Sequence, residues 1–381
     1  MVLNWVSVLT LVGCSQGILL AAVLMTLPSG NLRANRILAA IVAVQTATLG
    51  VFFLVYTPVD QPYPFFVFRL ATIHFLTGPL LYFYIRYLVK PDNPLVWRDC
   101  LHLLPFLLAF ISTFLMAGPE QFQHAPFEQL THDIKIELAL RSLIGDLVLL
   151  TYAAVSLIKL RQHRKSIEQQ FSSLEKVTLQ WLQVLVLICV MGASLSLMFE
   201  LVGVLFGIFL PEVRVVAVVY RVILLYGIGF MGMRQPLIFE AGSRSTLNSP
   251  PESESNKTKY QRSGLTEQDV QRLWQKLESH MATVKSYRTQ GLKVGDLAAE
   301  LGMRENYLSQ VINSCARKNF FEFINEYRLN EARSLLIEAP EKPISEVALE
   351  VGFASQNAFN NQFKKHLQQT PSSFRKNYSE N

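Results

Sequence analysis

Asparagine and glutamine side chains are concentrated at two places in the C-terminal third of the chain. Each amide can donate and accept hydrogen bonds at once, so it can pair with the edge of adenine in the major groove of DNA. Lysine following such a cluster can contact phosphates. The alternative interpretation of both polar faces is simple solvation. The first set of candidate DNA-binding residues is Asn306, Ser309, Gln310 and Asn313, and the second is Gln356, Asn357, Asn360, Asn361, Lys364 and Lys365.

The first set lies on the second of two short predicted helices joined by a glycine turn. Gly302 follows Ala298 by four residues, where a tight turn favours a residue without a Cβ atom. The next helix is predicted from about Arg304. Two short helices whose second member has a polar face are typical of a helix-turn-helix reader. The buried residues predicted for this unit are Leu297, Ala298, Leu301, Leu308 and either Val311 or Ile312.

The same pattern recurs about 50 residues later, around the second set. Ala348 again precedes a glycine, Gly352, by four positions, and Ser355 is a suitable N-cap for the second helix. Phe359 and Phe363 are spaced to anchor that helix in a core. One long amphipathic helix, NFFEFINEYRLNEARSLL, is predicted between the units and can hold both rigidly. The repetition favours DNA binding over solvation.

These segments resemble a known family. DLAAELGMRENYLSQVIN, NFFEFINEYRLNEARSLL and ISEVALEVGFASQNAFNNQFKKHLQQTPSSFRK are similar to the AraC/XylS-type DNA-binding domain over residues 265–376. The resemblance implies that the second helix of each helix-turn-helix unit enters a major groove, and that the two grooves are successive ones on one face of DNA. The amide side chains of the two candidate sets then lie near bases. Two departures are Arg317 and Gln368, which stand where the family commonly has glycine.

The first 235 residues have a different composition. The whole chain has 381 residues, of which 50% are hydrophobic and only 17% charged, and a mean hydropathy of +0.26. Apolar runs of about 20 residues, the length that crosses a bilayer, are confined to this part. In GPLLYFYIRYLVKP and HLLPF it resembles the multi-span N-terminal region of membrane-bound members of the same family, so no soluble sugar-binding domain is expected. The seven predicted spans are Trp5–Leu27, Ile37–Thr57, Phe65–Val89, Leu101–Gly118, Leu138–Leu160, Trp181–Leu210 and Val215–Met233.

Lysine and arginine are concentrated in alternate loops between these spans, and the loops between them are mainly acidic. By the positive-inside rule, the N-terminus is outside and the C-terminal domain is in the cytoplasm. The net charge of +6 is too small to indicate a nucleic-acid partner by itself.

A few ionisable side chains lie inside the predicted spans. A charge in lipid is costly, so such groups usually face the bundle interior or water. They either form a signal-sensing site, with Glu200 and Arg221 as a possible pair, or are structural ion pairs and interfacial residues. The candidate sensing residues are His74, Asp146, Glu200 and Arg221.

We found no sequence pattern for a catalytic nucleophile, a metal site or a cofactor, so we expect no enzyme activity, metal or cofactor. The predicted fold is all-α: a seven-helix transmembrane bundle (residues 1–235), a flexible cytoplasmic linker (236–264) and a DNA-binding domain with two helix-turn-helix units (265–381).

The predicted function is that of a membrane-anchored one-component transcriptional regulator of the bacterial inner membrane. Its expected partners are double-stranded DNA, the lipid bilayer, RNA polymerase, an unknown small-molecule or membrane signal, and a second copy in a homodimer. Two alternatives remain open. In the first, proteolysis of the linker releases the DNA-binding domain. In the second, the chain is a receptor or transporter that signals through a protein partner, and its own C-terminal domain no longer binds DNA.

Overall fold

A computed structural model of the chain describes residues 5–27, 31–56, 66–89, 96–115, 132–174, 179–209, 211–243 and 265–379. Within these ranges the chain folds into fifteen α-helices and a few 3₁₀ turns, with a single isolated β-bridge. The predicted all-α class is therefore confirmed. The chain divides into two compact units, one of residues 1–161 and 179–240 and the other of residues 162–178 and 241–381.

The first unit contains long apolar helices. Four of them have the length and composition needed to cross a membrane, and α8 contains a shorter apolar stretch, Val215–Met231. Fully buried leucines from five helices, among them Leu38, Leu182 and Leu225, share one core. The long helices are α1 (Trp5–Thr26), α2 (Leu32–Tyr56), α6 (His132–Gln170), α7 (Gln180–Phe206) and α8 (Pro211–Ser243).

The third predicted span is not one continuous helix. It is divided into α3 (Phe66–Ala71), a 3₁₀ turn (Thr72–Leu76) and α4 (Thr77–Val89). The proline of this span, Pro79, lies in the first turn of α4. In that position the missing N–H of proline costs little, because the first N–H groups of a helix have no intrahelical partner. The break therefore precedes Pro79.

The fourth predicted span is also short. A 3₁₀ turn (Trp97–Leu103) leads into α5, Leu104–Ser112, which has nine residues and is about 14 Å long. A bilayer core is about 30 Å thick, so this helix alone cannot cross it. The described residues thus support four long spans and a shorter apolar one, and the seven-helix count is not confirmed.

The first eight residues of the predicted linker, 236–243, belong to helix α8, which extends to Ser243. Residues 244–264, the remainder of the predicted linker, lie outside the described residues.

The second unit contains the domain predicted from Leu265 onwards. Its central element, α12, contributes Phe323 and Ile324 to one core and Leu329 and Leu336 to another. Both cores therefore depend on the same rigid helix. The helices of this domain are α9 (Glu267–Thr283), α10 (Val294–Glu300), α11 (Glu305–Ala316), α12 (Phe320–Glu338), α13 (Ile344–Glu350), α14 (Gln356–Leu367) and α15 (Pro371–Ser379).

Candidate nucleic-acid interface

The two predicted helix-turn-helix units have the same turn. In the first, the Met303 N–H donates to the Ala298 carbonyl at 2.9 Å, and in the second the Phe353 N–H donates to the Ala348 carbonyl at 2.9 Å. The glycine just before each donor has a positive φ, 62° at Gly302 and 96° in the second unit. This hydrogen bond across a left-handed residue closes the end of a helix and sets the direction of the next one. The predicted repeat is therefore a structural repeat.

Helix α11 is the second helix of the first unit. Its inner face is fully buried, with Leu308, Val311 and Ile312 all at most 1% exposed. Both Val311 and Ile312 are buried, where the sequence left the choice open. On the other face, Asn306 and Asn313 are exposed and Ser309 and Gln310 are half-buried.

Helix α14 occupies the equivalent place in the second unit. Ser355 is its N-cap as predicted, because its hydroxyl accepts a hydrogen bond from the Ala358 N–H at 3.1 Å. Phe359 and Phe363 are fully buried and in edge contact, with ring centroids 5.3 Å apart. The predicted contact residues lie around the rest of the helix: Gln356, Asn357, Asn361, Lys364 and Lys365 are exposed, and Asn360 is half-buried.

The amide side chains of both faces have no hydrogen-bond partner within the described part of the chain. Their donors and acceptors therefore remain available for another molecule. An amide can pair with two atoms of one base edge, and an exposed ammonium group can approach a phosphate. The arrangement provides two rigid polar faces of the kind that read DNA. The contact residues themselves stay predictions.

The two departures from the family pattern have a backbone explanation. Arg317 and Gln368 end α11 and α14 in the left-handed conformation, with φ of 55° and 57°. Glycine is favoured in this conformation, because a Cβ atom clashes there with the backbone. Both helices therefore end in this conformation without glycine, at a local cost of about 1 kcal/mol each.

A buried arginine that supports the first helix-turn-helix unit was missed by sequence reasoning. Arg328 of α12 is completely buried and donates to the carbonyls of Tyr287 and Thr289 at 2.7 and 2.9 Å. Burial lowers its pKa to about 10, which leaves the guanidinium charged at neutral pH. The available signal was its position, four residues after Ile324 and four before Ala332 on the apolar face of the helix.

An ion-pair cluster next to this arginine was also missed. Glu331, on the next turn of α12, accepts hydrogen bonds from Lys285 at 2.7 Å and from Arg288. Burial by itself raises the pKa of Glu331, but the hydrogen bonds from Arg288 and Lys285 outweigh it and the net pKa is lowered. The cluster fixes the turn that precedes α10.

The first unit contains two adjoining cavities where the candidate sensing residues meet. A cavity of about 650 Å³ is lined by His74, Asp146 and Arg221 together with Arg141. A second cavity, of about 380 Å³, shares the first three and adds Glu200. The structure thus brings all four predicted residues together, although they come from four different parts of the chain.

Polar atoms in these cavities are incompletely satisfied. Arg221 donates to Gln45 Oε1 at 3.1 Å. However, Arg221 Nε, Arg141 Nε and Asp146 Oδ2 are buried with no hydrogen-bond partner among the described residues. Most of the remaining lining is aliphatic or aromatic. No group of three potential metal ligands occurs among the residues that the structure describes.

Comparison with known proteins identifies the second unit. Residues 297–377 match the family model of a helix-turn-helix domain. The chain is 33% identical over 90 residues to the probable transcription factor PqrA of Proteus vulgaris, covering 24% of this chain and 73% of that protein. It is 24% identical over 99 residues to the regulatory protein SoxS of Escherichia coli K12, covering 26% of this chain and 92% of SoxS.

A longer relative matches over the same region only. The chain is 32% identical over 90 residues to the Msm operon regulatory protein of Streptococcus mutans, but spans only 32% of its length. The names of these relatives describe an operon regulatory protein, a probable transcription factor and a regulatory protein. On its C-terminal domain, this chain belongs to the AraC-type family of helix-turn-helix regulators.

Proposed function

We propose that this chain is a membrane-anchored one-component transcriptional regulator. It binds promoter DNA sequence-specifically through two helix-turn-helix units and senses a signal through its apolar first unit. The observation that carries the proposal is the repeated turn with an exposed, amide-rich second helix after it, at Ala298–Met303 and again at Ala348–Phe353.

The geometry of the domain supports sequence-specific binding. Both second helices pack on cores that share α12, so their separation is fixed within one chain. A helix-turn-helix reader places its second helix in the major groove, and two readers at a fixed separation can occupy successive grooves. Amides then read bases, while Lys364 and Lys365 contribute phosphate contacts that depend on salt.

The surface of the first unit supports membrane anchoring. Large apolar side chains on its long helices face outward, including Leu19 (61% exposed), Met191 (63%) and Ile223 (64%). A water-soluble protein rarely presents contiguous apolar patches of this kind, whereas a bilayer is their natural environment. Because every backbone hydrogen bond of a helix is internal, such helices can cross lipid. The charged loops then favour the bacterial inner membrane with the N-terminus outside and the DNA-binding domain in the cytoplasm.

The cavities support a sensing role for the same unit. A cavity of about 650 Å³ is within the size range of small-molecule sites, and its apolar lining with a few convergent polar groups is typical of them. Arg141 and Arg221 offer donors and Asp146 offers an acceptor. The matching ligand is a small amphiphile that has an apolar body and a polar head with both acceptors and donors. RNA polymerase and a second copy of the chain complete the expected partners.

Genome-wide DNA occupancy of the tagged full-length protein tests this proposal. A variant whose residues 244–264 are replaced by a Gly/Ser sequence is measured beside it. Discrete sites occupied by both forms are the expected result and also supply the operator. Sites seen only with the natural sequence would instead indicate proteolytic release. No sites with either form, while the first unit remains folded, would favour a receptor that signals through a protein partner.

A further inference from the structure

The chain between α6 and α7 forms part of the DNA-binding unit. Helix α6 ends at Gln170, and residues 162–178 belong to the same compact unit as the C-terminal domain. Phe171 forms an antiparallel bridge with Lys293, and the Ser172 N–H donates to the Leu292 carbonyl at 3.0 Å. Two residues from the middle of the chain therefore pair with the backbone just before α10, the first helix of the first reader.

The buried arginine of α12 completes this contact. Besides the carbonyls of Tyr287 and Thr289, Arg328 donates from Nη1 to the Ser172 carbonyl at 3.3 Å and from Nη2 to Ser172 Oγ at 3.2 Å. A guanidinium group has five donors and no acceptor, and it needs several oxygen partners when it is buried. Ser172 provides two of the four oxygens that surround it here.

Burial distinguishes these residues from an ordinary connecting loop. Ser172 is 1% exposed, whereas Gln169 and Gln170 at the end of α6 are exposed. The Lys293 ammonium group lies 5.8 Å from the centroid of the Phe171 ring, at the outer limit of a cation–π contact. Loops usually run over the surface, so a buried serine with three hydrogen bonds marks a specific docking contact.

We propose that Phe171 and Ser172 form an intramolecular docking strand, by which the end of α6 binds the first helix-turn-helix unit and opposes DNA binding. The first helix of such a reader crosses the DNA backbone. The docking strand lies against Leu292 and Lys293, directly before that helix. A docked domain is also restrained by the end of α6.

Disulfide cross-linking of the full-length protein in membranes tests the docking. The double variant Phe171→Cys/Lys293→Cys is made in a background with Cys100→Ser and Cys315→Ser, because Cys100 is exposed and Cys315 is half-buried. Bridge partners are close enough for a disulfide. The matched control is Arg164→Cys/Lys293→Cys, since Arg164 is exposed on α6 about 10 Å earlier along its axis. We expect the 171/293 pair to be oxidised at least tenfold faster than the control pair. Ser172→Pro removes the donor to Leu292, so it should slow the oxidation of the 171/293 pair to the control rate.

DNA binding of the same cross-linked protein tests the coupling. The probe is the genomic fragment of highest occupancy, and the oxidised and reduced forms of one sample are compared, so the substitutions themselves cancel. We expect at least tenfold weaker binding when the bridge is oxidised and recovery on reduction. Equal oxidation rates for the two pairs would overturn the docking, and unchanged or tighter binding in the oxidised form would overturn the opposition to DNA. The cross-linking step requires no DNA, so its failure is distinguishable from a failure of the proposed function.

Discussion

The two turn glycines form a matched pair for testing how the readers are built. Both have a positive φ, but their surroundings differ. A Cβ atom on Gly302 meets nothing within 4 Å, whereas a Cβ atom on Gly352 would lie 2.6 Å from the Arg288 carbonyl oxygen and 2.7 Å from that of Tyr287. These neighbours are backbone atoms, and the Tyr287 carbonyl is also held by Arg328 at 2.7 Å. Gly352→Ala therefore requires a backbone shift, and Gly302→Ala does not.

The expected magnitudes follow from this difference. An alanine in the left-handed conformation costs about 1–2 kcal/mol, part of which is offset because alanine restricts the unfolded chain. We expect Gly302→Ala to lower the free energy of unfolding by about 1 kcal/mol. For Gly352→Ala, the displaced backbone and the weakened contacts of Arg328 add about 2 kcal/mol more. The total of about 3 kcal/mol is a large fraction of the 5–15 kcal/mol typical of a domain.

Urea unfolding of residues 256–381, followed by circular dichroism, measures both changes. A domain of this kind can form nearly a whole protein, since the matched region covers 92% of SoxS. The two variants should have the same m-value and different midpoints. Equal losses for the two glycines, or a loss below about 1 kcal/mol for Gly352→Ala, would refute the assignment of the clash.

Four further substitutions test the domain. Gln368→Gly should raise the free energy of unfolding by about 0.5–1 kcal/mol in the same urea assay, because φ at this helix end is 57°; a loss would contradict left-handed strain. The pKa of Glu331 is lowered from 4.5, so its contribution to stability is complete above about pH 4.5 and is lost as the pH falls through the lower folded value. Glu331→Gln should thus destabilise the domain at neutral pH and make its free energy of unfolding fall less steeply as the pH is lowered. An unchanged pH profile would argue against the ion pairs. Asn360→Ala should weaken DNA binding at particular base pairs by about 1–3 kcal/mol. Lys364→Ala should weaken binding to all sequences and reduce the slope of log K against log salt concentration by about 1. Equal losses on specific and random DNA for Asn360→Ala would contradict the role of Asn360.

Local sequence signals were sufficient to predict the two readers. The spacing of Ala348 and Gly352, the Ser355 cap and the phenylalanines four residues apart all act within one or two turns, and the structure forms each of them. The bond from Arg328 to Ser172 joins residues 156 positions apart, so no local pattern could have predicted it.

The apolar unit was predicted less completely for a related reason. A hydropathy window counts apolar residues but does not detect where the backbone leaves the helix. The 3₁₀ turn at Thr72–Leu76 lies inside the third predicted span, and the one at Trp97–Leu103 overlaps the start of the fourth, so each shortens the helix that follows. The four candidate sensing residues were identified by charge in an apolar context, but their meeting in adjoining cavities depends on helix packing.

The shared helix α12 affects how a homodimer would act. Many helix-turn-helix proteins carry one reader per chain and must dimerise to contact two half-sites. Here one chain contains two readers, and the separation between them is set by a helix whose N-terminal half packs in one core and whose C-terminal half packs in the other. Dimerisation is then not needed to build the two-groove reader. A second copy would raise the effective concentration at adjacent operators, and a signal that releases the docking strand in one copy could act without the other.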